Sequence, residues 1–319
     1  MKIVILDGDL TNPGDISWEP VEKWGELTVY PDTSREERAS RIGDAQAVII
    51  NRAEIDEEIF RQCPQLRYVG TLGTGYNYID LKAAKKYGVT VCNVPGYSTY
   101  AVAQGTIALL LHHTNKVAQL NDYVKAGNWR NLMDKNITST PLTELYGKTM
   151  GIVGMGAIGY RVAQIAMALG MKVLAYRRTP KPEWEGENLR FTDLDALLAH
   201  SDVVSLHCPL NGETAGMMDA AAFAKMKKGA ILLNAARGGL VREEALFQAL
   251  EEGRISYAGV DVLAEEPPRS DNLLVGHPCC TITPHVAWMP KETRIRLVEI
   301  VGENLGAFLA GSPQNVVGE

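Results

Sequence analysis

"TMGIVGMGAIGYRVAQIAMALGMKVLAYRRT", residues 149–179, is the stretch that decides how this chain folds. It opens with "TMGIV", an apolar run of strand length. Gly154, Gly156 and Gly159 follow as G-x-G-x-x-G, and the next segment repeats apolar residues at Ile158, Val162, Ile165, Ala166 and Leu169, the spacing of one helical face. A second strand pattern, "KVLAYR", closes the unit. Three spaced glycines arise often by chance, but between a strand and a helix each has a task. Gly154 makes the tight turn, Gly156 lets the backbone approach a pyrophosphate, and Gly159 lets helix and strand pack closely. The helix N-terminus adds free N–H groups and a partial positive charge. The stretch predicts a strand–loop–helix that binds a dinucleotide.

Which dinucleotide is decided at the strand end. An acidic side chain there would hydrogen-bond the ribose hydroxyls and repel a 2′-phosphate. Here the strand ends in Arg177 and Arg178, whose guanidinium forks suit a phosphate, and Thr179 adds a hydroxyl donor. NADP(H) is therefore expected in preference to NAD(H). The alternative is that both arginines only solvate a strand end; adenine stacking on Arg177 would also tolerate NAD.

Outward from this unit the chain alternates strand and helix on both sides. "KIVIL", "LTVY", "AVII", "LRYVGTLG" and "VTVCNV" form one series, and "TMGIV", "KVLAYR", "DVVSLHC", "AILLNAA", "YAGVDV" and "CTITPH" a second. Asp80 can cap a helix in the first series and Gly88 can stop it, so that crossover is helical and the strands parallel. At 319 residues the chain has room for two domains of roughly 150 residues. Two doubly wound α/β domains with a ligand cleft between them are expected. The join, residues 100–127, reads as one long helix closed by Gly127. Residues 128–145 have weak periodicity and read as a surface loop or, with Trp129 beside Leu132 and Met133, as an oligomer arm.

Composition narrows the class. Hydrophobic residues at 46 % and charged residues at 22 % suit a globular protein, and no run approaches the ~18 apolar residues of a membrane span. "MKIVILDGDL" lacks the cleavage pattern of a secretory signal, so a cytoplasmic protein is expected. The formal charge of −6 argues against nucleic acid or anionic membrane as partner. Five cysteines without a C-x-x-C pair read as free thiols. No metal site is indicated, since His112 and His113 are adjacent on a helix and face different ways.

Three stretches fall at the C-terminal ends of strands in the second series, where functional loops belong: "NAARGGLV", "DVLAEEPP" and "TPHVAW". They offer Arg237, Asp261 with Glu266, and His285. Each alone has a plain explanation as a salt bridge, a solvated loop acid or a core histidine. With a nicotinamide site the set makes chemical sense, because 2-keto acid reduction needs a hydride donor, a proton donor and a cation for carboxylate and carbonyl. Arg237 supplies the cation and His285 the proton, with Glu266 to favour the imidazolium and fix the ring.

The chain resembles the D-2-hydroxyacid dehydrogenase family, in its group of glyoxylate/hydroxypyruvate reductases and glycerate dehydrogenases. The resemblance spans nearly the whole length and rests on "LGTGYNYID", "NVPGYSTYAVAQGTIALLL", "GIVGMGAIG", "LHCPLNGET", "LLNAARGGLV", "AGVDVLAEEPP" and "ITPHVAW", in the family's order. It implies a Rossmann cofactor domain, residues 100–290, inserted into a flavodoxin-like substrate domain, residues 1–99 and 291–319. It implies that Arg237 binds substrate, that Glu266 pairs with His285, and that the "GTG" turn offers Thr74 and Gly75 to the substrate carboxylate, with Arg52 also on substrate. Tyr97, Ser98 and Trp288 are further candidates for the pocket wall. The implied dinucleotide contacts are Gly154, Met155, Gly156, Ala157, Ile158, Gly159, Arg177, Arg178, Thr179, Pro209, Thr214, Ala235, Ala236, Asp261 and His285. A homodimer is the implied assembly.

The sequence departs from the commoner pattern where Val241 is followed by Arg242 and Glu243 rather than Asp and Glu; "EEALFQAL" still reads as a helix start. Glu266 argues against formate dehydrogenase, which would want a glutamine there. A phosphoglycerate- or lactate-type dehydrogenase, or a non-enzymatic dinucleotide-sensing corepressor on the same fold, are the alternatives.

Overall fold

Every ladder between strands is parallel, as alternating strand and helix patterns require. The computed structural model describes residues 1–130 and 134–318. It falls into two compact units, Met1–Ser98 with Trp288–Glu319, and Thr99–Ala287.

In the first unit the strands are β1 (Lys2–Ile5), β2 (Glu26–Val29), β3 (Ala47–Ile50), β4 (Tyr68–Thr71) and β5 (Thr90–Cys92), in sheet order β2-β1-β3-β4-β5. This is the flavodoxin-like order. β3 and β4 are buried throughout, which is why they read as continuous apolar runs. Asp80 caps the helix Leu81–Lys86 by accepting from the Ala83 amide, and Gly88 follows it at φ +68°. The last helix, Lys291–Leu309, packs so tightly on the N-terminal region that a Cβ at Gly302 would lie 2.2 Å from the Pro20 carbonyl oxygen.

In the second unit the strands are β6 (Thr149–Val153), β7 (Lys172–Tyr176), β8 (Leu189–Phe191), β9 (Val203–Leu206), β10 (Ala230–Asn234), β11 (Ile255–Val260) and β12 (Cys280–Ile282). Their order is β12-β11-β10-β9-β6-β7-β8, a Rossmann sheet with one strand added at the far edge. Apolar clusters cover both faces of this sheet, one including Leu197, Phe223 and Leu246, the other Leu110, Val162 and Ala166.

Three details depart from expectation. The join is two helices, Thr99–Asn115 and Val117–Lys125, broken at Lys116, which sits left-handed at φ 49°. The helix after the glycine loop, Ala157–Ala168, buries Gly159, Val162, Ala163 and Ala166, whereas Leu169 lies past its end and is exposed. The three-residue edge strand β8 carries too little pattern to announce itself. Leu132 and Met133, part of the expected arm, lie outside the described residues.

Candidate active site

The sheet order reverses between β6 and β9, and the glycine loop stands there. Gly154 follows β6 at φ +97°; a Cβ on it would come within 2.3 Å of the Cys208 amide nitrogen, just beyond β9. A Cβ at Gly159 would meet the Gly154 carbonyl oxygen at 2.4 Å. Gly156, the N-cap of Ala157–Ala168, has nothing within 4 Å of its Cβ position. Two glycines thus serve packing, and the third leaves open space over a helix N-terminus, which fits a pyrophosphate. Met155 is buried behind the loop, Ile158 half-buried and Ala157 exposed.

At the end of β7, Arg177 lies over the Trp184 ring at 5.6 Å, and the Lys181 ammonium over the same ring at 4.6 Å. Tyr160 stacks on Trp184 with ring centres 4.4 Å apart. Arg178 makes a long, exposed contact of 3.9 Å with Glu213, and Thr179 is exposed. Such a pair holds its partners weakly. Lys181 and Trp184 escape the sequence reading, although a third cation a few residues past an Arg-Arg strand end was the signal to follow.

Beyond β9 the loop is knitted by its own side chains: the Thr214 hydroxyl donates to the Pro209 carbonyl at 2.7 Å, and Asn211 Oδ1 accepts from the Glu213 and Thr214 amides. Burial pushes the Cys208 thiol above its ordinary pKa, so it is a poor nucleophile.

The remaining candidates sit on the loops after β10, β11 and β12. Arg237 is half-buried after the β10 end and is followed by Gly238, whose Cβ would fall 1.9 Å from the Leu263 carbonyl carbon. The Arg237 turn therefore sits directly on the backbone that follows β11. On that backbone the Leu263 amide donates to Glu266 Oε1 at 3.2 Å, and Glu266 Oε2 meets His285 Nδ1 at 2.7 Å. The two side chains are 27 % and 25 % exposed, so the pair is reachable without being washed by solvent. Asp261 is buried and engaged by residues 283–287. Ala235 and Ala236 are half-buried on the β10 loop.

In the first unit, Asp7 accepts from the Asn51, Arg52 and Ala53 amides and so shapes the loop that carries Arg52. The "GTG" turn is held by Asn93, which donates to the Thr74 carbonyl at 2.8 Å, while the Thr74 hydroxyl donates to the Val94 carbonyl at 2.8 Å. Tyr97 and Trp288 meet edge to face with ring centres 6.4 Å apart, both buried.

Residues 107–287 match the model of the D-isomer specific 2-hydroxyacid dehydrogenase NAD-binding domain. The chain belongs to this family and is an oxidoreductase with a nicotinamide dinucleotide-binding domain. It is similar to the hydroxypyruvate reductase of Blautia hydrogenotrophica, 49 % identical over 320 residues and 99 % of each chain. Among solved structures it resembles an acyclic imino acid reductase in complex with NADPH and D-arginine, at a TM-score of 0.87 and 31 % identity over 99 % of this chain and 100 % of that one. It also resembles the D-lactate dehydrogenase of Lactobacillus jensenii with NAD+, at 0.83 and 32 % over the whole of both chains. No helix among the described residues is long and apolar enough to cross a membrane.

Proposed function

We propose that this protein is a reductase of small 2-keto acids, hydroxypyruvate and glyoxylate first, that yields the D-2-hydroxy acid and prefers NADPH to NADH. The observation that carries the reading is the 2.7 Å contact of His285 Nδ1 with Glu266 Oε2, in the same unit as the glycine loop. With Nδ1 held by a carboxylate, Nε2 is the ring atom that gives a proton to the carbonyl oxygen as reduction proceeds. The bound dinucleotide supplies the hydride. Arg237 pairs with the substrate carboxylate and polarises the carbonyl. His113 and His207 do not compete as proton donors, because burial lowers both to a pKa of about 4 and leaves them neutral.

The unit Thr99–Ala287 serves as cofactor domain and the unit of Met1–Ser98 with Trp288–Glu319 as substrate domain, with Arg52, Thr74 and Gly75 as its substrate contacts. The dinucleotide contacts run from Gly154 to Gly159 and include Arg177, Arg178, Thr179, Pro209, Thr214, Ala235, Ala236, Asp261 and His285. The preference for a 2′-phosphate draws support from three cations, Arg177, Arg178 and Lys181, on one strand-end segment that has no acid at the ribose position. Hydroxypyruvate is favoured by the name of the relative that shares 49 % of its residues. The protein works as a cytoplasmic homodimer, in keeping with five unpaired cysteines and with the exposed Trp129. Steady-state kinetics with hydroxypyruvate, glyoxylate, pyruvate and phosphohydroxypyruvate, each with NADPH and NADH, test the reading. The highest kcat/KM is expected for hydroxypyruvate with NADPH, and no turnover of any keto acid would overturn it.

A further inference from the structure

Two buried polar side chains stand side by side where the loops bearing Arg237 and His285 begin. Asn234 ends β10 and is 1 % exposed; its Oδ1 accepts from the Ala236 amide at 3.1 Å and its Nδ2 donates to the Arg237 carbonyl at 2.9 Å. Asp261 follows β11 and is 2 % exposed. Its Oδ1 accepts from the Thr283 hydroxyl at 2.5 Å and the Val286 amide at 3.0 Å, and its Oδ2 from the Ala287 amide at 3.0 Å. Its backbone carbonyl accepts from the His285 amide at 2.8 Å, and its own amide donates to the Asn234 carbonyl at 2.9 Å.

The residue types match what each loop presents. The Arg237 turn offers one amide and one carbonyl, which a carboxamide satisfies with one acceptor and one donor. The His285 loop offers donors only, which a carboxylate accepts. The match has a conformational consequence, for His285 sits left-handed at φ 55°, a backbone state that a non-glycine residue keeps only where its surroundings fix it. Hydrogen bonds to Asp261 from four residues of that loop, Thr283, His285, Val286 and Ala287, provide the constraint. The seat of Gly238 on Leu263 then ties the Arg237 turn to the segment that holds Glu266.

We propose that Asn234 and Asp261 are a linked pair of positioning residues: Asn234 sets where Arg237 meets the substrate, and Asp261 sets where His285 delivers its proton. The proposal rests on the roles given above to Arg237 and His285. It predicts separable defects rather than a general loss. Asn234→Asp turns an acceptor toward the Arg237 carbonyl and is expected to raise KM for hydroxypyruvate about tenfold with a smaller change in kcat. Asp261→Asn turns a donor toward a backbone amide and is expected to lower kcat about tenfold or more with a smaller change in KM.

Asn234→Asp should bind NADPH within about twofold of wild type by nucleotide fluorescence, whereas Asp261→Asn, which alters a proposed dinucleotide contact, is compared with wild type at saturating NADPH. In an Arg237→Lys background, Asn234→Asp should add no further change in KM; in a His285→Ala background, Asp261→Asn should add no further loss of kcat. Wild-type kinetics in either single variant, or full additivity in either double, overturns the proposal. Loss of NADPH binding by Asn234→Asp together with both kinetic constants also overturns it, since that is the signature of a merely structural role. Arg237→Lys and His285→Ala enzymes with unchanged kinetics would instead sink the functional reading itself. If Asn234→Asp does not fold, Asn234→Ala, which removes both the donor and the acceptor, carries the same test, and the Asp261 arm decides independently.

Discussion

Arg177 and Arg178 leave the same strand end for different surroundings, and that difference shapes what their replacement should do. Arg177 rests on Trp184, while Arg178 has only the long contact with Glu213 and is free to turn its fork to a phosphate. Changing Arg177 to Asp and Arg178 to Ser together is expected to reverse the cofactor preference, and Lys181→Ala alone to weaken NADPH with little effect on NADH. A wild-type enzyme that favoured NADH by tenfold, a difference of about 1.4 kcal/mol, would contradict the phosphate reading. At His285 the expectation concerns a proton. In the proposed reaction its Nε2 gives a proton to the carbonyl oxygen in reduction and takes one back in oxidation of the hydroxy acid. His285→Ala is expected to slow turnover by about 10² to 10⁴ with NADPH binding intact, and an enzyme that kept most of its activity would show that another group supplies the proton. Arg237, Glu266 and His285 could be read from sequence as candidates because a cation, a carboxylate and an imidazole fall together at successive strand ends after a dinucleotide loop, within stretches that resemble the family's motifs. Asn234 could not, because its partners are backbone groups and an asparagine before a loop looks like any turn residue.

At the scale of elements, one device recurs where loops leave the sheets. Asp7, Asn93, Asn234 and Asp261 are all buried, stand at or just past the ends of β1, β5, β10 and β11, and bond the backbone of a loop that follows another strand or, for Asn234, its own. The loops so held carry Arg52, Thr74, Arg237 and His285. Asp7→Ala removes the acceptor of three amides at once and is expected to lower stability by about 2–4 kcal/mol, seen as a lower urea midpoint at unchanged m-value. A midpoint within error of wild type would mean that water replaces the carboxylate without loss. The strands themselves were legible because buried parallel strands are nearly continuous apolar runs, and the crossover helix at Leu81–Lys86 because Asp80 and Gly88 bracket it. The break at Lys116 was not, since no glycine or proline marks it, and β8 was not, since three residues at a sheet edge have no period to detect. Burial at Ala163 rather than Leu169 reflects where the helix ends, which apolar spacing alone does not fix.

For the molecule as a whole, the helix Val117–Lys125 buries none of its residues, and Val117, Val124, Trp129, Leu142 and Tyr146 are all exposed. Light scattering is expected to give a dimer at micromolar concentration, and Val117→Asp with Val124→Asp to give monomers; a wild-type monomer would refute the assembly. Stability should also carry a pH signature set by burial. His207 has a folded pKa of about 4 against 6.5 for an exposed histidine, caused by burial, with its Nε2 on the Ser205 hydroxyl at 2.8 Å. His113, half-buried and stacked on Tyr257, is lowered to about 4 by burial and by the nearby Lys116 and His112. Because the unfolded chain protonates these groups first, their contribution is complete above about pH 6.5, shrinks as pH falls, and is gone below about 4. For His207 it amounts to about 3 kcal/mol, and for His113 to less. The carboxylates whose folded pKa is lowered, Asp15 by Arg294 and Asp202 where burial pushes up but the Thr149 amide and the lysines Lys227 and Lys148 together outweigh it, act further down, below the ordinary carboxylate range. Urea titrations between pH 4 and pH 7 should therefore show a steady loss of stability in wild type and a shallower one in His207→Gln, which keeps a partner for Ser205 but does not titrate. Parallel slopes for the two proteins would mean that His207 titrates alike in the folded and unfolded states, its pKa not lowered by burial, and so could compete with His285 for the role of acid.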